Sequence, residues 1–312
     1  MKLKIYILAA VTLLAIACTK EETLTASGES GAYTLPQGNH DFDATIKSYY
    51  DKYGSYLLYK FSNRDSYWTP AGWKNAAYDT INKRWSSGFL VKPAEETYVP
   101  AQLQVMNRLW FRFYSDKFLK EFLPGKVLLC SAVDSVYLGY DFTTVPITSI
   151  KLEKSVAAWF NYDAINVNFG NAKVLTMTPQ DSGIFIWKTN TIFMQSIFAR
   201  KPIAATADFT KITSYATAFT TQAAAYAAGS ITDYYASNAQ SDWEQYILAM
   251  TGYPESVLNT SAPNTTRSYV GILNATKDTN GKIRQRYNLV RNYFITNYNV
   301  DLQMIGNAAI AR

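Results

Sequence analysis

The first residues of this chain constrain its fold most, because they decide which part of the sequence belongs to the folded body. Two lysines precede an apolar run from Ile5 to Ala17 in which Thr12 is the only polar residue. A basic start, a short apolar core and a small residue before the cut are the parts of a secretory signal peptide. The run is too short to span a membrane, which needs about 20 apolar residues. We therefore expect residues 1–17 to be removed and the fold to be built by later residues.

Cys18 directly follows this run. The segment Leu14–Cys18 reads Leu-Ala-Ile-Ala-Cys and resembles a bacterial lipobox, which implies cleavage before Cys18 and acylation of its thiol and new amine. Stable anchoring takes two or more acyl chains, which a triacylated cysteine provides. The alternative is an ordinary secretory peptide followed by an incidental cysteine. The motif predicts a lipoprotein tethered to the outer membrane of a Gram-negative bacterium.

The residues after Cys18 predict where the lipoprotein faces. Thr19–Glu22 reads Thr-Lys-Glu-Glu, which resembles the export tag of lipoproteins displayed on the outer surface; a merely solvated stretch is the alternative. The Ser/Gly/Thr-rich residues that follow have no apolar period and are typical of a flexible tether. We expect a signal peptide over 1–17, a lipidated tether over 18–40 and one domain over 41–312.

The composition is that of a globular chain with 48% hydrophobic and 17% charged residues. The formal charge is +6, but the basic residues are scattered without a long run, which argues against nucleic-acid binding. Cys130 is the only cysteine besides Cys18, so the body has no internal disulfide. It lies in the buried-strand pattern 126–133, where a cysteine behaves as a small hydrophobe.

The apolar periods predict an α+β fold of mixed strands followed by a helical half. A helix over 41–53 ends at Gly54, and a second helix runs from Pro100 through Phe118 to Pro124. The predicted strands cover 55–61, 126–133, 135–140, 155–161 and 163–169. Further helices are predicted over 182–201, 209–227, 241–252 and 283–298.

Several segments, in order, are similar to one family. The chain resembles the substrate import-associated zinc metallohydrolase lipoproteins, zinc-binding metallopeptidases that accompany outer-membrane nutrient importers. The similar segments are Asp43–Ile46, Tyr53–Phe61, Trp187–Lys188, Thr191–Phe193, Gly229–Ser237, Tyr293–Phe294 and Val300–Leu302. The resemblance implies a zincin-like metallopeptidase-type domain and a role in a nutrient-uptake system.

The zinc motif of this family, H-E-x-x-H, is missing. Met194 and Phe198 stand where the two histidines would be, and Gln195 stands in place of the catalytic glutamate. In a later acidic stretch of the family Asp242 is kept, but Gln245 replaces a glutamate. The chain has one histidine, so a catalytic zinc site built on several imidazoles is ruled out by counting. We expect no zinc cofactor and no peptidase chemistry at these positions.

Other catalytic arrangements have little support in the sequence. His40 is the only histidine and lies at the end of the predicted tether, so Ser-His-Asp or Cys-His catalysis is not indicated. The carboxylates offer no spacing that singles out a glycosidase pair. Asp278–Gly281 looks like part of a calcium loop but lacks the final glutamate, and predicts a turn before the last long helix.

With these catalytic arrangements set aside, ligand recognition is the remaining function. The chain has 24 tyrosines, 7 tryptophans and 16 phenylalanines, and aromatic side chains at wet surfaces pack against sugar rings. The candidates for ligand-facing aromatics are those in loop-like sequence, with core packing as the alternative for each: Tyr67, Trp68, Trp73, Tyr234 and Tyr235. We expect a non-catalytic surface lipoprotein that binds a glycan, a peptide or a protein of an uptake complex. The alternative is a hydrolase with an unrecognised site.

Overall fold

A six-stranded mixed sheet organises the first half of the chain, and helices build the second half. The computed structural model describes residues 33–309. The helices span Asp41–Tyr53 (α1), Asn63–Tyr67 (α2), Val99–Leu109 (α3), Asp116–Phe122 (α4), Pro179–Arg200 (α5), Ala207–Thr210 (α6), Gln222–Ala228 (α7), Ala239–Gly252 (α8), Glu255–Asn259 (α9), Lys282–Tyr298 (α10) and Leu302–Ala308 (α11). The strands span Tyr56–Leu58 (β1), Trp68–Thr69 (β2), Gly72–Trp73 (β3), Tyr78–Asp79 (β4), Arg84–Trp85 (β5), Gly88–Pro93 (β6), Lys126–Asp141 (β7), Thr148–Ser155 (β8), Ala158–Asn161 (β9) and Ala164–Val167 (β10). The predicted α+β class is confirmed.

Strand β7 is the centre of the sheet. Its first half pairs in parallel with β1 and β10, and its second half pairs in antiparallel fashion with β6 and β8. The prediction of two strands, 126–133 and 135–140, was therefore wrong. Asp134 does not break the strand, because it is paired with Leu90 on one side and with Ser155 on the other.

The hairpin predicted around residue 162 is confirmed. Strands β9 and β10 pair in antiparallel register, and Tyr162 makes the turn with φ of 50°. Strand β8 was missed apart from its last residue, because most of its side chains are exposed and the apolar alternation is weak. The strand expected over 55–61 is limited to Tyr56–Leu58.

Helix α1 has the predicted bounds, and Gly54 ends it in the left-handed region with φ of 72°, donating its N–H to the Tyr50 carbonyl over 2.8 Å. The single helix predicted from Pro100 to Phe118 was wrong: α3 ends at Leu109 and α4 begins at Asp116. The apolar period continues across the break because Trp110 and Phe118 both face the same core, where each ring contacts Phe193.

The helix predicted over 209–227 was also wrong, because only its two ends, α6 and α7, are helical. Thr221 begins α7 by accepting the N–H of Ala224, a capping signal that the alanine-rich sequence obscures. The connection between them brings the Tyr215 hydroxyl to a buried carboxylate described below. The turn predicted at Asp278 is confirmed, and its carboxylate accepts the N–H groups of Ile283 and Arg284 at the start of α10.

Cys130 is completely buried in β7, and burial raises the pKa of its thiol well above the ordinary value. The predicted signal peptide, Cys18 and most of the predicted tether lie outside the described residues. Gln37, near the end of the predicted tether, donates to the Lys60 carbonyl and accepts the N–H of Tyr59. Within residues 33–309, no helix is both long and apolar enough to cross a bilayer.

Candidate ligand-binding cleft

Helix α5 is the element that builds the candidate site, and its start is set by a capping box. The Thr178 hydroxyl accepts the N–H of Asp181 over 3.1 Å, while the Asp181 carboxylate accepts the N–H of Thr178 over 3.1 Å. Pro179 occupies the first helical turn, where its missing N–H costs nothing. The helix was predicted from about residue 182, and these caps explain its earlier beginning.

One side of α5 forms a wall of a cleft of about 590 Å³, a volume typical of small-molecule sites. Ile184, Trp187 and Lys188 are three and four residues apart, so they share this side of the helix. The opposite wall is the hairpin of β7 and β8. The floor is formed by the segment that leads from β8 into β9 and by the two residues that follow β10. The lining residues are Ser135, Tyr137, Lys154, Ser155, Val156, Ala157, Asn168, Phe169, Lys173, Gln180, Asp181, Ile184, Trp187 and Lys188.

The register of the hairpin places one of its faces on the cleft. Ser135 pairs with Lys154 and Tyr137 pairs with Leu152, and directly paired residues point to the same side of a sheet. Gly139 continues this face, where a Cβ atom would come within 2.7 Å of the Leu152 side chain. The glycine therefore lets an apolar side chain lie across the strand. Tyr137 remains 46% exposed beside the cleft, so its ring is accessible.

The floor holds a residue in an unusual backbone conformation. Phe169 has φ of 76°, in the left-handed region that a bulky side chain seldom adopts. Its N–H donates to the Asn168 side-chain oxygen over 2.7 Å, and its ring contacts Phe185 edge-on. Asn168 also donates to the Val156 carbonyl over 2.9 Å. Backbone strain of this kind clusters at ligand sites, so it agrees with a binding role for this floor.

The charges in the cleft are mainly positive. Three lysines and one aspartate line it, a net formal charge of +2. Hydrogen bonds from the Thr178 hydroxyl and N–H, together with Lys173 at 3.1 Å, lower the pKa of Asp181, which is therefore ionised at neutral pH. Lys188 holds its ammonium 3.7 Å from the centre of the Trp187 ring. Lys154 is exposed and makes no ion pair within residues 33–309.

The positions at which the family resemblance predicts a zinc motif lie on the cleft side of α5, two to three turns further along the helix. Met194 lies seven residues after Trp187 and is completely buried, Gln195 is exposed and Phe198 is half-buried. A thioether, an amide and a phenyl ring are not the donors that zinc uses. Among the described residues, no three histidine, cysteine, aspartate or glutamate side chains group closely enough to hold a metal ion. The residues present at these positions do not fit zinc.

Asp242, the acidic residue that the sequence resemblance singled out, has a structural role. Its Oδ1 accepts the N–H groups of Ile231 and Thr232 over 2.9 and 3.0 Å, and also the Thr232 and Ser230 hydroxyls. Its Oδ2 accepts from Arg286 over 3.0 Å and from the Tyr215 hydroxyl. Both carboxylate oxygens are therefore fully engaged in the interior. We refer to Asp242, Arg286, Tyr215, Ser230, Ile231 and Thr232 as the Asp242 network.

Gln245, on the same helix α8, also lies in a local contact. Its side-chain oxygen accepts from Arg267 and from the Tyr269 hydroxyl. Burial raises the pKa of Tyr269 to about 12, so this hydroxyl is a proton donor at neutral pH. The amide ties α8 to the loop before α10.

The five aromatics predicted to face a ligand lie in two places away from the cleft. Tyr67 is buried, and its hydroxyl accepts the N–H of Val91 over 2.7 Å, so it does not face solvent. Trp68 and Trp73 are paired across the β2–β3 hairpin, and Trp73 is 55% exposed. Tyr234 and Tyr235 contact each other edge-on in a short 3₁₀ turn. The structure does not bring the two groups together with the cleft residues.

His40 lines a separate, larger groove of about 1030 Å³ between α1 and α3. Its Nε2 lies 2.9 Å from Glu96 and its Nδ1 lies 3.3 Å from Asp43, which also accepts the His40 N–H at the start of α1. The imidazole stacks on Phe42 with 4.7 Å between ring centres. Both ring nitrogens thus have carboxylate partners that hold the beginning of the domain in place.

Sequence reasoning missed the residues that line the cleft. Trp187 and Lys188 were named from the sequence only as part of the family resemblance. Tyr137, Lys154 and Ile184 were not named from the sequence as site residues. One local signal existed, a tryptophan and a lysine adjacent in the middle of a helix. The meeting of α5 with the β7–β8 hairpin depends on long-range packing, which periodicity does not contain.

Comparison with known proteins gives one similar fold. The chain matches no protein-family model and no curated protein. A solved structure, that of a candidate zinc-binding metallo-peptidase from Bacteroides caccae, is similar with a TM-score of 0.45 and 14% sequence identity. The likeness covers 86% of this chain and 89% of that one. No residue role is carried over from it.

Proposed function

We propose that this protein is a non-catalytic, ligand-binding lipoprotein, displayed on the outer membrane as an accessory of a nutrient-uptake system. We place its binding site in the cleft between α5 and the β7–β8 hairpin. The observation that carries the proposal is the cleft itself, where exposed aromatic and apolar walls meet basic side chains in a volume suited to a small organic ligand. The ligand is a glycan or a peptide.

The residues at the former motif support binding rather than zinc hydrolysis. Met194 contributes a buried thioether, and Gln195 cannot take a proton from water at neutral pH. Asp242 has no oxygen left for a metal, because each of its two oxygens already accepts at least two hydrogen bonds. The alternative, a hydrolase with an unrecognised site, is decided by the same experiment that tests binding.

The test uses one cleft variant and one matched control. Ile184 on α5 and Ile295 on α10 are isoleucines with 41% and 40% exposure, and only Ile184 lines the cleft. Purified wild type, Ile184→Glu and Ile295→Glu are titrated with a panel of oligosaccharides and short peptides, with binding followed by saturation-transfer NMR. We expect binding to wild type and Ile295→Glu, and none to Ile184→Glu. Loss in both variants, or binding by all three proteins, would reject the cleft as the site.

The same samples test catalysis. Chromatography of each panel member after prolonged incubation should show it intact, and elemental analysis should show no stoichiometric zinc. One zinc per chain, removable together with peptide hydrolysis, would overturn the non-catalytic proposal.

The membrane anchor is tested separately, since Cys18 lies outside the described residues. Cys18→Ala should abolish incorporation of labelled fatty acid and release the protein from the membrane fraction. Replacing Lys20, Glu21 and Glu22 by alanine should leave lipidation intact and protect the protein from protease added to whole cells. Surface cleavage that is unchanged by the triple substitution would reject the export tag.

A further inference from the structure

We propose that the end of the β7–β8 hairpin contacts a lipid bilayer, with Phe142, Val145 and Ile147 inserted shallowly among the lipids. This inference rests on the proposed function, because a lipid anchor on Cys18 is what brings the protein to a membrane. It goes beyond that function by assigning a second membrane contact, one that sets how the folded body faces the bilayer.

The end of this hairpin extends beyond the rest of the sheet. Strand β6 pairs with β7 only as far as Val136, and after that residue β8 is the only strand paired with β7 within residues 33–309. We refer to this two-stranded part, residues 137–152, as the arm. The loop at its end, residues 142–147, is the part of the arm furthest from the point where β6 ends.

The loop exposes apolar side chains almost completely. Phe142 is 75% exposed, Val145 is 99% exposed and Ile147 is 57% exposed, and residues 142–147 contain no charged side chain. Exposed apolar surface of this kind marks contact with a protein or with a membrane. Because Val145 is almost unshielded, the end of the loop is convex. A protein would need a matching cavity to cover it, whereas fluid lipid surrounds a convex apolar end without one.

The side chains behind the loop follow the polarity of a membrane interface. Tyr140 is 57% exposed, and its ring centre lies 6.3 Å from that of Phe142. Tyrosine is enriched at the boundary between lipid and water, since its ring is apolar and its hydroxyl is polar. The Thr143 hydroxyl and N–H donate to Asp141 over 2.6 and 2.9 Å and lower its pKa, so this carboxylate is ionised at neutral pH. Its charge has to stay among the hydrated headgroups, which limits insertion to the loop.

The predicted tether is long enough for the anchor and the loop to reach one membrane. Gln37 bonds to Tyr59 and Lys60 directly after β1, which pairs with the first residues of β7. From there the loop lies about a dozen residues further along β7, or about 40 Å at the rise of a strand. The chain from Cys18 to Gln37 spans up to about 65 Å when fully extended. Both contacts can therefore be made at once.

The contact would keep the cleft in water close to the membrane. Tyr137, which lines the cleft, lies on β7 about 13 Å from Asp141 along the strand, on the side away from the loop. A ligand would then enter from the aqueous side. The loop by itself is a weak attachment, because stable anchoring takes two signals. Release of Cys18→Ala from the membrane fraction is therefore still expected.

Quenching by nitroxide lipids tests this inference on the lipidated protein in vesicles of phosphatidylethanolamine and phosphatidylglycerol. Val145→Cys introduces one reactive thiol, because Cys130 is completely buried and Cys18 carries the lipid. An environment-sensitive dye on this thiol should lose more than about half of its fluorescence to nitroxides in the acyl chains, since shallow insertion reaches about 5–10 Å. The control is Met304→Cys on α11, 60% exposed in the wild type, whose dye should not be quenched.

A matched pair of variants tests the apolar character of the loop. Combined with Val145→Cys, Phe142→Glu and Ile147→Glu should abolish quenching of the dye, since carboxylates do not enter the hydrocarbon. Leu175→Glu and Met304→Glu change side chains that are 67% and 60% exposed outside the arm, and should leave the quenching unchanged. If the glutamates in the loop lower the melting temperature, Phe142→Ser and Ile147→Ser replace them and should reduce the quenching.

The outcomes separate this inference from the proposed function. Labelled fatty acid on Cys18 together with an unquenched Val145 dye would keep the lipoprotein and overturn the loop contact. A dye that is shielded from water but not quenched by nitroxide lipids would assign the loop to a protein contact, a second copy included, and would also overturn it. Equal quenching at positions 145 and 304 would show that the body has no preferred side toward the membrane and would overturn it too. Absence of fatty acid would overturn the lipoprotein and this inference together.

Discussion

The cleft and the Asp242 network contain the same kinds of group in opposite situations. In the network, Asp242 and Arg286 are both completely buried, 3.0 Å apart, and the carboxylate is surrounded by hydroxyl and main-chain donors. In the cleft, Lys154 on one wall is exposed and Ile184 on the opposite wall is 41% exposed. A charge that the fold has fully partnered in the interior holds the fold together. A charge left at the edge of an exposed apolar cleft is available to a ligand.

The largest expected effect comes from breaking the buried pair. Asp242→Ala leaves the Arg286 guanidinium buried without its partner, and we expect a loss of about 3–5 kcal/mol in the free energy of unfolding. Urea denaturation measures it. Asp242→Ala combined with Arg286→Met removes both charges and should be less damaging than Asp242→Ala alone. A loss below about 1 kcal/mol would show that water reaches this site and would remove the contrast with the cleft.

Introducing a zinc-binding H-E-x-x-H motif tests whether this side of α5 can hold a metal ion. Met194→His, Gln195→Glu and Phe198→His together should lower stability by about 1–3 kcal/mol, because a polar ring replaces the completely buried Met194 side chain. Measurable zinc affinity should appear only if the zincin-like arrangement is right. Gln195→Glu alone is the control and should have little effect, since Gln195 is exposed. Wild type should show no shift in melting temperature with zinc or a chelator.

Lys277 is a third case, a buried cation with no carboxylate partner among residues 33–309. It is 1% exposed and donates to the Ser268 carbonyl over 2.9 Å, with no ion pair in the described part of the chain. Burial lowers the pKa of Lys277 from its ordinary 10.5 to about 8. The unfolded chain therefore binds more protons between these values, so the free energy of unfolding should rise with pH there, by at most about 1.4 kcal/mol per pH unit.

The matched measurement is urea denaturation of wild type and Lys277→Met at pH 7, 8, 9 and 10. Tyrosine ionisation acts on both proteins, so the difference between them isolates Lys277. We expect the free energy of unfolding of Lys277→Met, relative to that of wild type, to be highest at pH 7 and 8. This difference should decrease as the pH rises. A difference that does not change with pH would show that Lys277 is well solvated.

The smallest expected effect is on the stability of cleft variants. Ile184→Gln and Lys154→Gln change exposed side chains, and each should alter the free energy of unfolding by less than about 0.5 kcal/mol. The same variants should weaken binding of the ligand in the cleft. A large loss of stability in either variant would show that the side chain supports the fold, as Asp242 does.

Local signals predicted much of the helical structure. Gly54 ends α1 where expected, and α8 and α10 lie within two residues of their predicted bounds. The errors have a common physical cause. The aromatic period from Pro100 to Phe118 belongs to two helices that face one core, and Asp134 lies inside a strand because neighbours pair with it on both sides. In each case long-range contact overrode the local pattern.

The sequence by itself determined the chemistry that is missing. A single histidine in the chain excludes a zinc site built on several imidazoles whatever the fold, because side-chain identity decides which donors exist. Only the tertiary structure decided where the cleft lies. Asp242 has a structural role because Arg286 meets it in the interior, and Tyr137 and Lys154 line the cleft because the hairpin lies opposite α5. Such meetings depend on burial and packing between distant segments, which no local pattern encodes.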